Sequence, residues 1–373
     1  MKIAIQAADL DHARIDGTRV YIKSLLKYFG ELDSVSNFLI YHKDEFNPEL
    51  APPKFSNYTV IKKAWPFFWT QLRLSSALWR EKPDVLWMPM HNIPYFRSGK
   101  LKTVVTIHDL AFKYFPEYFT KKELWKLNFL AGLAIRRCDR IITISESSKK
   151  DILKFYPNIS ADKIVVIYHG FSGTVFSRER DLKKEAEVKD KLKIDGRYIL
   201  YVGAIQPRKN LNTLITAFEK LKLIVGHDDL KLVLAGEKAW LAEDVFAAIE
   251  KSPYQTDIIT PGRIKFEDIG HLMRGASLFC FPSLYEGFGI PVLEAFAAGV
   301  PVICARNSSL PEVAGDAALY FSGKDDQQLV KNLKNILQDK TLREELIAKG
   351  KKQVQKFSWK KCAKETLECL KHL

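Results

Sequence analysis

Short runs of apolar and β-branched residues recur along the whole chain, separated by longer stretches whose apolar positions return every three to four residues. In the first half the runs cover residues 2–7, 37–42, 58–61, 84–88, 102–107, 140–144 and 164–167, and each predicts a short strand. Between the first two runs, Asp16-Gly17-Thr18 precedes Val20, Ile22, Leu25, Leu26 and Phe29, which trace one face of a helix. In the second half a polar helical stretch around 180–193 leads to runs at 198–202, 230–235, 256–260, 277–281, 300–303 and 318–321. Strands alternating with helices in this way predict parallel, doubly wound sheets, hence an α/β chain. Its 373 residues suffice for two domains, each with its own core. Tyr168-His-Gly-Phe-Ser-Gly173, with two glycines and no helical pattern, sets the boundary between domains at 1–171 and 172–357, and a last helix follows Phe357-Ser-Trp359 over about 358–372. No internal sequence repeat relates the halves.

The run ending at Phe281 leads into the stretch with the most chemistry, Phe281-Pro-Ser-Leu-Tyr-Glu-Gly-Phe-Gly-Ile-Pro-Val-Leu-Glu294. Pro282, Gly287 and Gly289 predict a loop, Pro291 suits a first helical position by its fixed φ, and Gly299 with Pro301 beyond it marks the helix end. Such a loop turns unpaired N–H groups and the positive end of the helix dipole toward whatever lies in front, most naturally phosphate. Glu286 falls in the loop and Glu294 in the first helical turn, where the dipole favours a charged carboxylate. A carboxylate accepts two hydrogen bonds from a vicinal diol, so donors for phosphate stand beside acceptors for hydroxyls. That combination suits a sugar nucleotide.

Three further motifs sit where a strand gives way to a loop. In Tyr201-Val-Gly-Ala-Ile-Gln-Pro-Arg-Lys-Asn210, Arg208 offers a planar fork for phosphate oxygens and Lys209 a compact, exposed charge. Gly236, in Leu234-Ala-Gly-Glu237, reads as a position of close backbone approach. Val104-Val-Thr-Ile-His-Asp-Leu110 sets His108 and Asp109 directly after a strand, at the sheet edge where ligands bind in doubly wound folds. Ser145 reads as a helix cap.

The two glutamates, with seven residues between them, around Gly-Phe-Gly-x-Pro, followed by Glu-Ala-x-Ala-x-Gly-x-Pro-Val, closely resemble the signature of retaining glycosyltransferases of family four, and the resemblance runs over nearly the whole chain. It implies the GT-B architecture: two Rossmann-like domains with an interdomain cleft, the first taking the acceptor, the second the nucleotide sugar, and the terminal helix 358–373 crossing back to the first. By the same resemblance, His108, Arg208, Lys209 and Glu286 form the catalytic set, His108 contacting donor sugar and reaction centre and the two cations clamping the diphosphate. Gly17, Gly203, Gly287, Phe288, Gly289 and Glu294 are implied in donor binding, with Glu294 on the ribose diol and the base read around Arg263 and Ile264. The family usually has a glycine pair where this chain has Gly17 followed by Thr18 and Arg19. The implied reaction transfers a hexosyl group with retention and without a metal or other cofactor. Thr106-Ile-His-Asp-Leu110 with Phe115-Pro-Glu-Tyr118 looks most like mannosyltransferases of bacterial surface polysaccharides that use GDP-mannose; enzymes using UDP- and dTDP-sugars share the rest.

Composition adds partners and place. The formal charge is +14, and residues 1–171 carry +9 of it, 26 Lys and Arg against 17 Asp and Glu. This leaves nucleic acid, anionic lipid or a phosphorylated substrate as partners. No recognition helix or aromatic-rich RNA-binding strand signature is present, which argues against a nucleic-acid binder. A nucleotide-sugar epimerase of the same architecture remains as an enzyme alternative, separable by acceptor-dependent release of nucleoside diphosphate. Trp65-Pro-Phe-Phe-Trp69, and Tyr114, Phe115, Tyr118, Phe119 and Trp125 interleaved with Lys113, Lys121, Lys122, Lys126, Arg136, Arg137 and Arg140, read either as core beneath a solvated charged face or as a surface meeting anionic lipid. The resemblance, which includes members acting on lipid-linked acceptors, favours the second. No apolar run approaches a membrane span, and Met1-Lys-Ile-Ala-Ile-Gln6 reads as a strand and not a secretory signal, so a cytoplasmic protein, peripheral on the inner membrane face, is expected. Five scattered cysteines predict reduced thiols.

Overall fold

The computed structural model describes residues 1–13, 15–65, 67–177, 179–224 and 229–373, leaving Pro66 of the Trp65–Trp69 segment outside the described residues. The chain divides into two compact units, Met1–Gly170 with Phe357–Leu373, and Phe171–Lys356.

The first unit is built on a seven-stranded sheet of β1 (Lys2–Gln6), β2 (Asn37–His42), β3 (Tyr58–Lys62), β4 (Val85–Met88), β5 (Lys102–Ile107), β6 (Arg140–Thr143) and β7 (Ile164–Val166), in the order β3-β2-β1-β4-β5-β6-β7 and parallel throughout. Helix Gly17–Leu32 spends its apolar stripe, Tyr21, Ile22, Leu25, Leu26 and Phe29, on the core, and Asp16 caps it through the Arg19 N–H at 3.2 Å. The last helix, Trp359–Lys371, packs against that helix, burying Trp359, Cys362, Ala363, Leu367 and Leu370. Ser358 caps it, and Lys371 Nζ closes on Asp33 Oδ2 at 2.7 Å.

The second unit repeats the plan with six parallel strands, β8 (Arg197–Val202), β9 (Leu230–Ala235), β10 (Ile258–Gly262), β11 (Leu278–Phe281), β12 (Val302–Ala305) and β13 (Ala318–Phe321), in the order β10-β9-β8-β11-β12-β13. Two strands start two residues later than the apolar runs predict. Gln255–Asp257 is taken by a 3₁₀ turn, with the Asp257 carboxylate held by Lys222 and Lys231 at 3.0 and 2.8 Å, so β10 opens at Ile258. Val300 N–H donates to the Ala295 carbonyl and Gly299 N–H to Phe296, a closure of helix Ile290–Ala297 that uses Val300 before β12 can begin. The four cysteines Cys138, Cys280, Cys304 and Cys362 are buried and Cys369 is half-buried, all as free thiols.

Strand order reverses between β1 and β4 in the first sheet and between β8 and β11 in the second. In open α/β sheets these switch points leave a crevice beyond the carboxyl ends of the strands, where ligands bind. The loops after those strands are therefore where function is to be sought.

Candidate functional site

In the second unit the loops after β8 and β11 bring three of the expected residues together. Lys209 Nζ lies 2.5 Å from Glu286 Oε1, and Arg208 Nη1 lies 3.4 Å from Oε2. Arg208 also donates to the Tyr285 carbonyl. Lys209 is not the exposed cation the sequence suggests: its side chain is 10% exposed, against 11% for Glu286, because the turn Pro207–Lys209 folds it over the Phe281 ring onto the carboxylate. Burial alone would push the Glu286 carboxyl up, but the attraction of Lys209 and then Arg208 outweighs it and holds the group down at about 2. The result is a buried cluster carrying one net positive charge.

Residues that sequence reading did not single out hold this loop in place. Ser308 Oγ accepts from the Glu286 N–H at 2.9 Å, and Ser309 Oγ is 2.9 Å from the Glu286 carbonyl and 2.8 Å from that of Phe288. Asn307 donates to the Ser283 carbonyl at 2.9 Å. Asn210, in the left-handed region at φ 56°, ties the Pro282 and Gly323 carbonyls at 3.1 and 3.2 Å. The available signal was a polar Asn-Ser-Ser run just past a strand.

Gly289 caps helix Ile290–Ala297 at φ 108°, where a side chain would be strained and would approach Leu310 to 2.8 Å. Gly287 and Phe288, both buried, complete the turn into the helix. Glu294 does not fall in the first turn as the sequence suggests, since the helix begins at Ile290 and that turn holds no acidic residue. Beyond the reach of the helix N-terminus, and with no hydrogen-bond partner for its carboxyl among the described residues, Glu294 is pushed up by burial to about 8. Gly236 is held against Gly203, with an added Cβ falling 1.8 Å from the Gly203 carbonyl oxygen, so only glycine lets these loop ends meet. Gly236 N–H donates to Gly262 at 2.9 Å, which sets the next loop alongside, where Arg263 Nη1 pairs with Glu237 at 3.5 Å and Ile264 is half-buried.

The first unit carries a different chemistry. Gly17 is the first residue of its helix, one position past the Asp16 cap. His108 follows β5, and its Nε2 is 2.9 Å from the Pro89 carbonyl. A carbonyl only accepts, so Nε2 carries the proton. Tyr21 meets His108 edge-on at 5.1 Å and stacks on His169 at 4.7 Å, and His169 packs on Trp359 at 5.3 Å. Burial lowers both imidazoles below the ordinary histidine range, His169 well below. Ser145 caps its helix through the Ser148 N–H, and Ser148 Oγ donates to the His108 carbonyl at 3.2 Å. Asp109 Oδ1 accepts from the Ala111 N–H at 2.9 Å, closing the loop after His108. Beyond β1 and β4 a cavity of about 440 Å³ is lined by Gln6, Asp9, Met88, His91, Glu123 and Leu127 among others. His108 reaches it indirectly, by holding Pro89 in the loop that forms one wall. Among the described residues no three His, Cys, Asp or Glu side chains group as a metal site, and no helix is long and apolar enough to cross a membrane.

Comparison with known proteins agrees with this division. Residues 15–172 match the family described as Glycosyltransferase Family 4, and residues 180–353 the one described as Glycosyl transferases group 1. The chain is 32% identical to the O-antigen chain mannosyltransferase B of Escherichia coli over 272 residues, 73% of this chain and 71% of the relative. It is 28% identical to the O-antigen chain mannosyltransferase RfbU of Salmonella typhimurium over 271 residues, 73% of this chain and 69% of that one. Among solved structures, HepE of Anabaena in complex with UDP and glucose superposes with a TM-score of 0.77 over 100% of both chains at 17% identity. WaaG, a glycosyltransferase involved in lipopolysaccharide biosynthesis, gives 0.74 over 100% of both at 15% identity.

Proposed function

The chain belongs to glycosyltransferase family 4, with the GT-B fold, and from that membership we propose that it moves a mannosyl group from GDP-mannose to a hydroxyl of a glycan or lipid-linked glycan in surface-polysaccharide synthesis. The configuration at the anomeric carbon is retained. The bond from that carbon to the diphosphate breaks with its electron pair on the leaving oxygen, while the acceptor hydroxyl forms the new bond and gives up its proton to that leaving phosphate oxygen.

The observation that carries this reading is the buried cluster of Arg208 and Lys209 on Glu286, beside the N-terminus of helix Ile290–Ala297. Charge builds on the leaving diphosphate in the transition state, and cations and N–H groups held at that place stabilise it more there than in the ground state. This is what a metal ion would otherwise supply, so the transfer is proposed to be metal-independent. When the diphosphate takes the cations, Glu286 is released toward sugar hydroxyls. Glu294 serves the ribose diol, and Gly203, Gly287, Phe288 and Gly289 let the donor approach. Gly17, the first residue of its helix, is likewise proposed to bind the donor. Arg263 and Ile264 stand at the loop where the base is read. The choice of mannose is supported by the named activities of the relatives at 28 and 32% identity, and that of guanine only by the likeness of Thr106–Leu110 and Phe115–Tyr118 to enzymes that use GDP-mannose.

In the first unit, the cavity walled by Met88, His91 and Leu127, with Asp9 and Gln6 as hydrogen-bonding groups, fits the acceptor. Neutral His108 is proposed to meet the donor sugar. The protein is placed in the cytoplasm on the inner face of the membrane. Thermal shift with GDP, UDP, dTDP and ADP tests the donor, since a ligand at 100 times its Kd stabilises by about 2.7 kcal/mol. GDP is expected to shift the melting temperature most, with transfer from GDP-mannose unaffected by EDTA. A larger shift with UDP would overturn the donor, and loss of transfer restored by magnesium would overturn the metal-free mechanism.

A further inference from the structure

Four side chains far apart in sequence meet beyond the carboxyl ends of the first sheet: Tyr21 from the first helix, His108 after β5, His169 after β7 and Trp359 at the start of the last helix. Of these, only His108 enters the proposed transfer. Tyr21, His169 and Trp359 are 0, 3 and 6% exposed, too well covered to meet a substrate, so any part they take in the reaction must pass through a neighbour.

His108 is a neighbour that needs them. Its side chain makes one hydrogen bond among the described residues, from Nε2 to the Pro89 carbonyl at 2.9 Å. That bond fixes one ring atom, while the torsion that sets the plane of a histidine ring is intrinsically broad. Packing has to set the plane. Tyr21 stands edge-on to the His108 ring at 89° with centroids 5.1 Å apart, and His169 meets it at 62° and 5.5 Å. Tyr21 is itself anchored by its hydroxyl, 3.2 Å from Thr106 Oγ1, which also accepts from Trp87 Nε1 at 3.0 Å.

His169 stacks on Tyr21 at 4.7 Å, and Trp359 closes the cluster at 5.3 Å from His169 and 6.1 Å from Tyr21. The backbone is shaped for that closure. A Cβ at Gly170 would fall 2.0 Å from the Trp359 nitrogen and 2.4 Å from the Ser358 carbonyl carbon, backbone atoms that cannot swing aside, so only glycine lets the last helix start against the loop that carries His169. Ser358 then caps that helix through the Lys361 N–H at 3.1 Å, which fixes where Trp359 stands.

Resting on the reading of His108 as the group that meets the donor sugar, we propose that Tyr21, His169 and Trp359 are positioning residues that hold the plane of the His108 ring, with the start of the last helix as their lock. Without Trp359 the ring stays tied at Nε2 but turns about that bond, and water enters beside it. A displacement of about 1 Å at a reacting group costs on the order of 10²-fold in rate, so the lock bears on kcat. It does not bear on diphosphate affinity, whose charged groups Arg208, Lys209 and Glu286 lie in the second unit. Water also changes the charge. Burial keeps His108 neutral against the pull of the Pro89 carbonyl, Asp109 and Asp16, and it keeps the neighbouring His91, His169 and Tyr21 uncharged. Opening the cluster lets those pulls prevail and returns His108 toward the ordinary histidine value of about 6.5.

The test is Trp359→Ala and, at a second point of the cluster, His169→Ala, in the full chain, read by steady-state kinetics with GDP-mannose and by nitrogen-15 NMR of the imidazoles. The His108 signals are identified by their loss in His108→Gln. In the wild type His108 is expected to show the Nε2–H form with no titration near pH 6.5. In both alanine variants it is expected to titrate at about 6.5, kcat to fall about tenfold or more, and kcat/KM to drop as pH falls through that value. The GDP-induced melting shift should be unchanged. Trp359→Phe, which keeps a ring at the lock, should restore most of kcat and the flat pH profile. A merely structural role would lower the melting temperature and leave the His108 signals and the pH profile of folded protein as in the wild type, which would overturn the proposal. His169→Ala carries the same test if Trp359→Ala does not fold, since it leaves the last helix intact. A released His108 ring with unaltered kcat would overturn the role of His108 and the proposal with it. A wild type that ignores GDP and GDP-mannose, with the His108 ring fixed and the alanine variants releasing it, would sink the donor reading alone.

Discussion

Past the carboxyl ends of the first sheet, Tyr21, His108 and His169 have their rings within 5.5 Å of one another, and burial keeps all three uncharged. Past the corresponding ends of the second sheet, Arg208, Lys209 and Glu286 are almost as well covered, yet all three are charged. Both sheets have the same strand order around a switch point. What differs is compensation. Glu286 has two cations within 3.4 Å, so the loss of water is offset, whereas the pull of Asp109 and the Pro89 carbonyl on His108 does not overcome burial. Topology provides the crevice in each unit, and loop residues decide which crevice can neutralise a leaving diphosphate.

Making the second edge resemble the first should have the largest effect. Lys209→Ala is expected to lower kcat by about 10²–10³, the scale of losing one transition-state donor. An exposed lysine would leave stability untouched, but here Glu286 is left buried and half-compensated, so a loss of about 3 kcal/mol or more is also expected. Lys209→Met with Glu286→Gln should regain most of that stability and none of the rate. Steady-state kinetics beside melting curves decide the matter, and an unaltered kcat would remove Lys209 from the reaction.

A smaller effect should follow from disturbing the neutral edge. His108→Ala frees Pro89 and is expected to cost up to about a hundredfold in kcat through misplacement of the adjoining loop. In the wild type both imidazoles have folded values below the unfolded one, so the unfolded chain binds more protons below about pH 6.5. The contribution of the two histidines to stability should therefore be level above that pH and decline below it, with no titration of kcat/KM near 6.5. A rate that halves at 6.5 would mean that His108 is solvated and not held as described.

Glu294 should give the smallest change and sharpens the contrast within one unit. Its folded value of about 8 lies above the unfolded value of about 4.3, so the folded state holds the proton more tightly and stability drains away as pH rises between the two. Glu294→Gln removes that drain. Its melting temperature should match wild type at pH 5 and exceed it by about a few degrees at pH 9, with GDP affinity about tenfold weaker. An identical pH dependence in both proteins would show the carboxyl to be ionised in the folded state.

The alternation of apolar runs and helical periods made both sheets legible, because a parallel strand buried on both faces must be apolar along its length. Its limits showed at β10 and β12, where Asp257 is held by two lysines and Val300 closes the preceding helix. Asn307, Ser308 and Ser309 escaped notice because a polar run past a strand looks alike whether it supports a functional loop or meets water.

Order along the chain was enough to declare that Glu286, Arg208 and Lys209 belong to loops of one sheet edge and that His108 belongs to another, since alternation and glycine placement are local properties. Protonation was not local. Glu286 and Glu294 are eight positions apart, yet the fold holds one at about 2 and the other at about 8, because two cations 77 and 78 residues away in sequence reach the first and nothing among the described residues reaches the second. The same holds for the aromatic segment of the first unit. Its composition is equally that of a core and of a surface, and only the packing of Leu74, Ala77 and Leu78 inward left Phe67, Phe68 and Leu72 facing out. Burial and compensation are sums over neighbours from the whole chain, so they came into being with the tertiary structure.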